Sequence, residues 1–271
     1  MFLDLLREKF LAYQRHRGIA IRQAESSKLL KRLVVNSESE CIVVDMDFAE
    51  NYEIVHKIEH WSHTQVTLYI VITHHRTGDN QLKTEAQIFV SSDRSHDTYF
   101  VQHALSKLQK SFKMDKGKVF KRWYINTDGA PSHFKSKYTM NYMKKFLEKC
   151  NEDCKEGSEK DTESVMWEFC APGHGKGPWD GVGAVIKRLL RQLERTGMNN
   201  GEKIYNRTAF DCLLTLQEHY KSWTKDISER YSIDQFNFFY IPENNAEAKT
   251  ISTCQDANVE ASRAHIMSPI N

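Results

Sequence analysis

What most constrains this chain is the order in which two hydrophobic periods follow one another. Short segments of period two come first, and segments of helical period then alternate with further strand-like runs. CIVVDMD is an apolar run rich in β-branched residues and reads as a strand. In QVTLYIVITHH, Val66, Leu68, Ile70 and Ile72 share one face, and in TEAQIFVSS so do Ala86, Ile88 and Val90. The polar, glycine-bearing link HHRTGDNQLK makes these two a hairpin. Asp97 opens a helix in which Phe100, Ala104, Leu108 and Phe112 recur every fourth residue. VFKRWYINTD is the fourth strand, ending at Asp128, and a helix with Phe134, Tyr138, Tyr142 and Phe146 on one stripe follows it. SVMWEFCAP is the fifth strand, and the loop PGHGKGPWDG leads to a helix carrying Val182, Val185, Ile186, Leu189 and Leu193 in register.

The order βββαβαβα predicts an antiparallel meander extended by parallel strands with crossover helices. It is the order of a ribonuclease-H-like α/β fold, with a mixed five-stranded sheet flanked by helices and extra helices at both ends. Residues 1–39 read as an N-terminal helical segment, two helices broken near Gly18. Residues 40–197 form the core and 198–242 a C-terminal helical extension that includes AFDCLLTLQEHYKSW and the apolar FNFFYIP. The polar stretch 243–271 is expected to be disordered.

Lys and Arg number 38 against 36 Asp and Glu, so the chain is no global polycation and any nucleic-acid contact must come from a local basic face. No run approaches the roughly 18 apolar residues of a membrane span, and MFLDLLREKF is too charged for a signal peptide. An intracellular protein that is not secreted is expected, without a membrane partner or a small-molecule cofactor. Six scattered cysteines read as reduced thiols. Cys150, Cys154, Cys170 and His174 offer a looser alternative, a zinc site.

Acids sit at three telling places. Asp45 and Asp47 lie at the end of the first strand, on one face because strand periodicity is two. Asp128 ends the fourth strand, and Asp180 stands at the mouth of the last core helix, where a helix cap is the simpler reading of that acid alone. The first and fourth strands are expected as neighbours, which brings their terminal carboxylates together. Clustered carboxylates repel unless cations are bound, and they are hard ligands suited to Mg²⁺ or Mn²⁺. Two such ions activate a water or a 3′-hydroxyl and stabilise the departing oxygen of an in-line phosphoryl displacement. Asp47 and Asp128 are expected to hold the ions, with Asp180 completing one coordination sphere. Asp45 remains the alternative to Asp47.

The segments VDMDFAENY (44–52), HWSHTQVTLY (60–69), NTDGAPSHFKSKY (126–138) and HGKGPWDGVGAVIKR (174–188) resemble the catalytic domain of eukaryotic transposon-derived DD(E/D) transposases, Mutator-like or related. The resemblance implies magnesium-dependent cleavage and joining of DNA, action in the nucleus, and Asp47, Asp128 and Asp180 as catalytic acids. Where many transposases carry glutamate third, this chain has Asp180. Around the acids, His174, Lys176, Lys187 and Arg188, with His133 and Lys135 (beside Ser132), suit a phosphate backbone. Lys187 and Arg188 read equally well as the solvated face of an amphipathic helix. Trp179, in a loop, suits base stacking, whereas Trp123 and Trp167 lie within strands and belong to the core. DNA is the expected partner, and a second copy of the chain a further one. Two alternatives stand beside this reading: a cellular ribonuclease or exonuclease on the same fold, and a domesticated, catalytically inactive domain that binds DNA or protein. No zinc finger or helix-turn-helix for reading terminal sequence is visible.

Overall fold

The computed structural model describes residues 2–36, 40–54, 64–154, 159–170, 177–200 and 208–243. Its strands are β1 (Cys41–Ile54), β2 (Thr64–Arg76), β3 (Leu82–Ser91), β4 (Arg122–Thr127), β5 (Ser164–Phe169) and β6 (Gln235–Ile241). They form one mixed sheet in the order β5-β4-β1-β2-β3-β6. β1 pairs in parallel with β4, β4 with β5, and β3 with β6. β2 runs against β1: Asp45 meets His74, Phe48 meets Tyr69 and Asn51 meets Thr67, so the numbers fall on one strand as they rise on the other. Residues 77–81 join β2 to β3, too few for a crossover, so that pair is an antiparallel hairpin. The helices are α1 (Phe2–Asn36), α2 (Thr98–Lys110), α3 (Lys137–Cys150), α4 (Pro178–Asn200), α5 (Ala209–Glu218) and α6 (Tyr220–Tyr231).

Three elements differ from the sequence reading. α1 is one helix of 35 residues and passes through Gly18 without a break. A helix-interior glycine costs about 1 kcal/mol relative to alanine, and with no proline beside it that does not interrupt the ladder. β1 runs on to Ile54, about twice the expected length. FNFFYIP adds a sixth strand to the sheet, alongside β3. The tail from residue 244 lies outside the described residues.

The chain divides into two compact units. One comprises Met1–Asp45, His74–Lys83 and Leu105–Lys176; the other comprises Met46–Thr73, Thr84–Ala104 and Gly177–Asn271. In the first unit, Leu30 and Val34 of α1 pack on Cys41, Val43 and Tyr124. Ser136 caps α3 by accepting from the Thr139 amide, and Thr139, Tyr142, Phe146 and Cys150 form its buried stripe. The helix thus starts three residues beyond Phe134, which is buried ahead of it, and Tyr138 points to solvent.

In the second unit, Val66, Leu68, Ile70, Ile72, Ala86, Ile88 and Val90 are buried, as their alternation requires, in one cluster with Val182, Ile186 and Leu190 of α4 and residues of α5, α6 and β6. Burying these faces is the main favourable term, at about 25 cal/mol per Å² of apolar surface. Ala49, Tyr52 and Ile54 of β1 all pack on this cluster. Strict alternation would send residues 49 and 52 to opposite faces, so the pattern slips by one between them, as at a β-bulge. Thr208 and Asp211 form a capping box on α5. No helix among the described residues is long and apolar enough to cross a membrane.

Candidate functional site

Asp45 is 3% exposed, and its carboxylate is already shared. Asn126, its partner in the β1–β4 register, donates Nδ2–H to Oδ1 at 2.7 Å. Lys31 Nζ of α1 stands 3.5 Å from Oδ2 and His74 Nε2 of β2 stands 3.4 Å from it. Burial is the largest influence and pushes the Asp45 carboxyl up. The neighbouring His74 ring, the Lys31 charge and the Asn126 amide together outweigh it, so the group titrates below its ordinary 3.8. Burial is also the largest influence on His74 and, with the Lys31 charge, holds the imidazole below its ordinary 6.5 despite Asp45. With His74 neutral near pH 7, Lys31 is the charge that balances Asp45. All three belong to the first unit. An acid so engaged is a structural anchor of β1.

Asp47 is half-buried, and its Oδ1 accepts from the following amide, Phe48 N–H, at 2.8 Å. It belongs to the second unit, as does Asp180. Asp180 is exposed in the first turn of α4. Pro178 takes the first helical position, where its missing N–H costs nothing. Asp180 Oδ2 accepts from the Gly177 amide at 2.8 Å, the return half of a capping box. The cap expected of this acid is therefore present, made from the third helical position instead of the flanking one.

One contact links the neighbourhoods of these two acids. A β-carbon on Gly183 of α4 would stand 2.9 Å from the β-carbon of Ala49 on β1, so helix and strand touch nearly backbone to backbone there. Asp47 lies two residues before Ala49 on the same pleat face, about 7 Å along the strand. Asp180 lies three residues before Gly183, on the same helix face and about 4.5 Å along the axis.

Asp128 belongs to the first unit and follows β4 directly. It is half-buried, and its Oδ1 accepts from the Ala130 amide at 3.0 Å, which closes the turn. The amides of His133, Phe134 and Lys135 then converge on the Ala130 carbonyl. Asp128 stands two residues beyond Asn126, just as Asp47 stands two beyond Asp45, and Asn126 and Asp45 are register partners. Among the described residues, no three His, Cys, Asp or Glu side chains are grouped closely enough to hold a metal ion.

His133 is half-buried with its ring edge-on to Phe134, and Lys135 is exposed. Lys187 is half-buried and Arg188 exposed. His174 and Lys176 lie outside the described residues. Trp179, expected as a stacking platform, is half-buried and packs against the apolar cluster, its ring folded over Gly177. Trp123 and Trp167 are core residues, and the Trp167 indole donates to Thr127 Oγ1 at 3.0 Å. Cys41, Cys150, Cys154, Cys170 and Cys212 are free thiols. Burial pushes the Cys150 thiol up to about 12, which disfavours the thiolate that zinc requires.

Sequence reasoning missed Lys31, His74 and Asn126. His74 was within reach: it continues the even-numbered core face of β2, where a polar ring needs a partner.

The fold and these acids define a mixed α/β protein in which Asp47, expected at the end of the first strand, lies midway along the longer β1, while Asp128 directly follows β4 and Asp180 stands in the first turn of α4. The chain belongs to a family described as a domain of unknown function (DUF8701), whose model matches residues 26–255. No curated protein and no solved structure matches it.

Proposed function

We propose that the chain is a metal-dependent DNA endonuclease and strand-transfer enzyme on a ribonuclease-H-like sheet, of the transposase catalytic type, acting in the nucleus. The observation that carries the reading is the close approach of Gly183 to Ala49, which ties the neighbourhoods of Asp47 and Asp180 to each other. It is supported by the strand order β5-β4-β1-β2-β3, in which β4 pairs in parallel with β1.

Carboxylate oxygens are the hard donors that divalent cations take, and a shared ion would have to draw these acids together, since among the described residues no three such side chains are grouped for a metal. Asp128 and Asp180 each have one oxygen engaged by a backbone amide and the other without a hydrogen-bond partner among the described residues. Asp47 and Asp128 would hold Mg²⁺ or Mn²⁺ most directly, with Asp180 as the third ligand. Two bound ions supply an activated water or 3′-hydroxyl and charge neutralisation at the leaving oxygen. The chain's own contribution is positioning. The amides of Phe48, Ala130 and Gly177 each fix one carboxylate. The Lys31–Asp45–His74 group anchors β1 just before Asp47.

The test is Mn²⁺-dependent nicking of supercoiled plasmid by wild type and by Asp128→Asn. Wild type is expected to nick, and the variant to lose activity by at least about a hundredfold while keeping its thermal midpoint. Equal nicking by both removes the catalytic assignment. Preference for an RNA–DNA hybrid over duplex DNA would instead favour a cellular ribonuclease.

A further inference from the structure

Along α4, Arg188, Arg191, Gln192, Arg195 and Thr196 line an open groove of about 340 Å³. Their spacing is i, i+3, i+4, i+7 and i+8, one face of a helix. The opposite stripe, Val182, Ile186 and Leu190, is buried in the core. Arg188 and Arg195 are exposed and form no ion pair among the described residues. The Arg191 guanidinium sits over the Tyr52 ring, 5.2 Å from its centre. Like charges three and four residues apart destabilise an isolated helix, so the stripe carries a cost that a bound anion removes. Over seven residues the three guanidiniums span about 10 Å, longer than one phosphate group. A row of unneutralised guanidiniums in an open groove matches a chain of phosphates better than it matches a single small anion.

We infer that this face of α4 is a track for the phosphodiester backbone of a nucleic-acid strand. The inference deepens the DNA reading above and rests on it, while using none of its acids. The formal charge of the whole chain is only +2, so a strong salt dependence of binding must come from a local stripe such as this one.

The experiment is fluorescence anisotropy of a labelled oligonucleotide with the full chain between 50 and 200 mM salt, roughly the range in which counterion release dominates. Wild type is expected to bind, and Arg188→Ala with Arg195→Ala to weaken binding by about tenfold or more. The slope of log affinity against log salt is expected to become shallower by about 2, close to one per lost phosphate contact. Arg188→Lys with Arg195→Lys keeps the charge and is expected to keep the slope while losing affinity, which separates lost contacts from lost folding. No binding by wild type, an unchanged slope in the alanine pair, or equal slope loss in the lysine pair each overturns the inference. So does competition by polyglutamate as effective as by unlabelled oligonucleotide, which would assign the groove to an acidic protein. Nicking by Asp128→Asn equal to wild type, together with a shallower slope in the alanine pair, would sink the nuclease reading while the track stands.

Discussion

At the scale of single residues, the Asp45 group makes the sharpest claims. Removing the carboxylate leaves Lys31 beside β1 without its counter-charge and Asn126 without its acceptor. Breaking a buried pair from one side costs about 3 kcal/mol, so Asp45→Ala should lower the unfolding free energy by about that much, read as a lower urea midpoint at unchanged slope. Both titrating groups are depressed, and both act in the same direction. A histidine held below its ordinary 6.5 takes up its proton more readily when unfolded, so stability is full above that value and falls as the pH drops below it. The depressed Asp45 adds a second loss as the pH falls below 3.8. Thermal midpoints from pH 8 to pH 4 should therefore decline from about pH 6.5 in wild type, and less so in His74→Gln. A His74→Gln curve parallel to wild type would remove His74 from this account. Of the site, Asp47 and Asp128 were legible because each closes an apolar, strand-like run, although Asp47 lies midway along β1 and not at its end. The partners of Asp45 were less so: Lys31 reaches it only through tertiary pairing, and His74 shows only as a polar ring on the core face of β2.

At the scale of elements, two helix glycines invite opposite outcomes. Gly18 lies mid-helix with nothing within 4 Å of a built β-carbon, so Gly18→Ala should stabilise by about 0.5–1 kcal/mol through backbone entropy. Gly183 faces Ala49 at 2.9 Å, so Gly183→Ala should force α4 off β1 and cost about 1–3 kcal/mol. The same displacement should depress nicking, since Asp180 precedes that contact by one turn. Denaturant midpoints for the pair decide it, and two changes of the same sign would refute the close-packing argument. The strands were readable because the even-numbered positions of β2 and β3 are apolar throughout their centres, even though Tyr69, Val71 and Phe89 bury the other face as well. β1 was read short because its alternation slips between Ala49 and Tyr52, which breaks the pattern by which a strand is recognised. β6 was recorded only as an apolar run, since nothing local to FNFFYI says that its edge pairs with β3. The α2 stripe was right to its end for a reason invisible in sequence. Residues four apart drift by roughly 40° around an α-helix, and the wider π turn at Ser111–Asp115 offsets that drift and keeps Phe112 buried.

At the scale of the whole molecule, α1 separates what the domain needs from what it carries. Its C-terminal turns are tied down: Gln23 Nε2 donates to the Phe169 carbonyl at 2.8 Å, Leu30 and Val34 pack on β1, and Lys31 meets Asp45. Residues 4–15 are exposed throughout, large apolar side chains such as Leu6 at 55% and Phe10 at 56% included. The family match begins at residue 26, close to where these contacts start. Side chains that stay in water on folding contribute little to the difference between folded and unfolded chains. Deleting residues 2–15 should therefore shift the thermal midpoint by no more than about 2 °C, less than 1 kcal/mol for a protein of this size. Extending the deletion through Lys31 should cost far more, because it strips Val43 and Asp45 of their cover together. Circular dichroism melts of the two truncations make the comparison. A short deletion as damaging as the long one would mean that the first turns of α1 are held by contacts that their exposure denies.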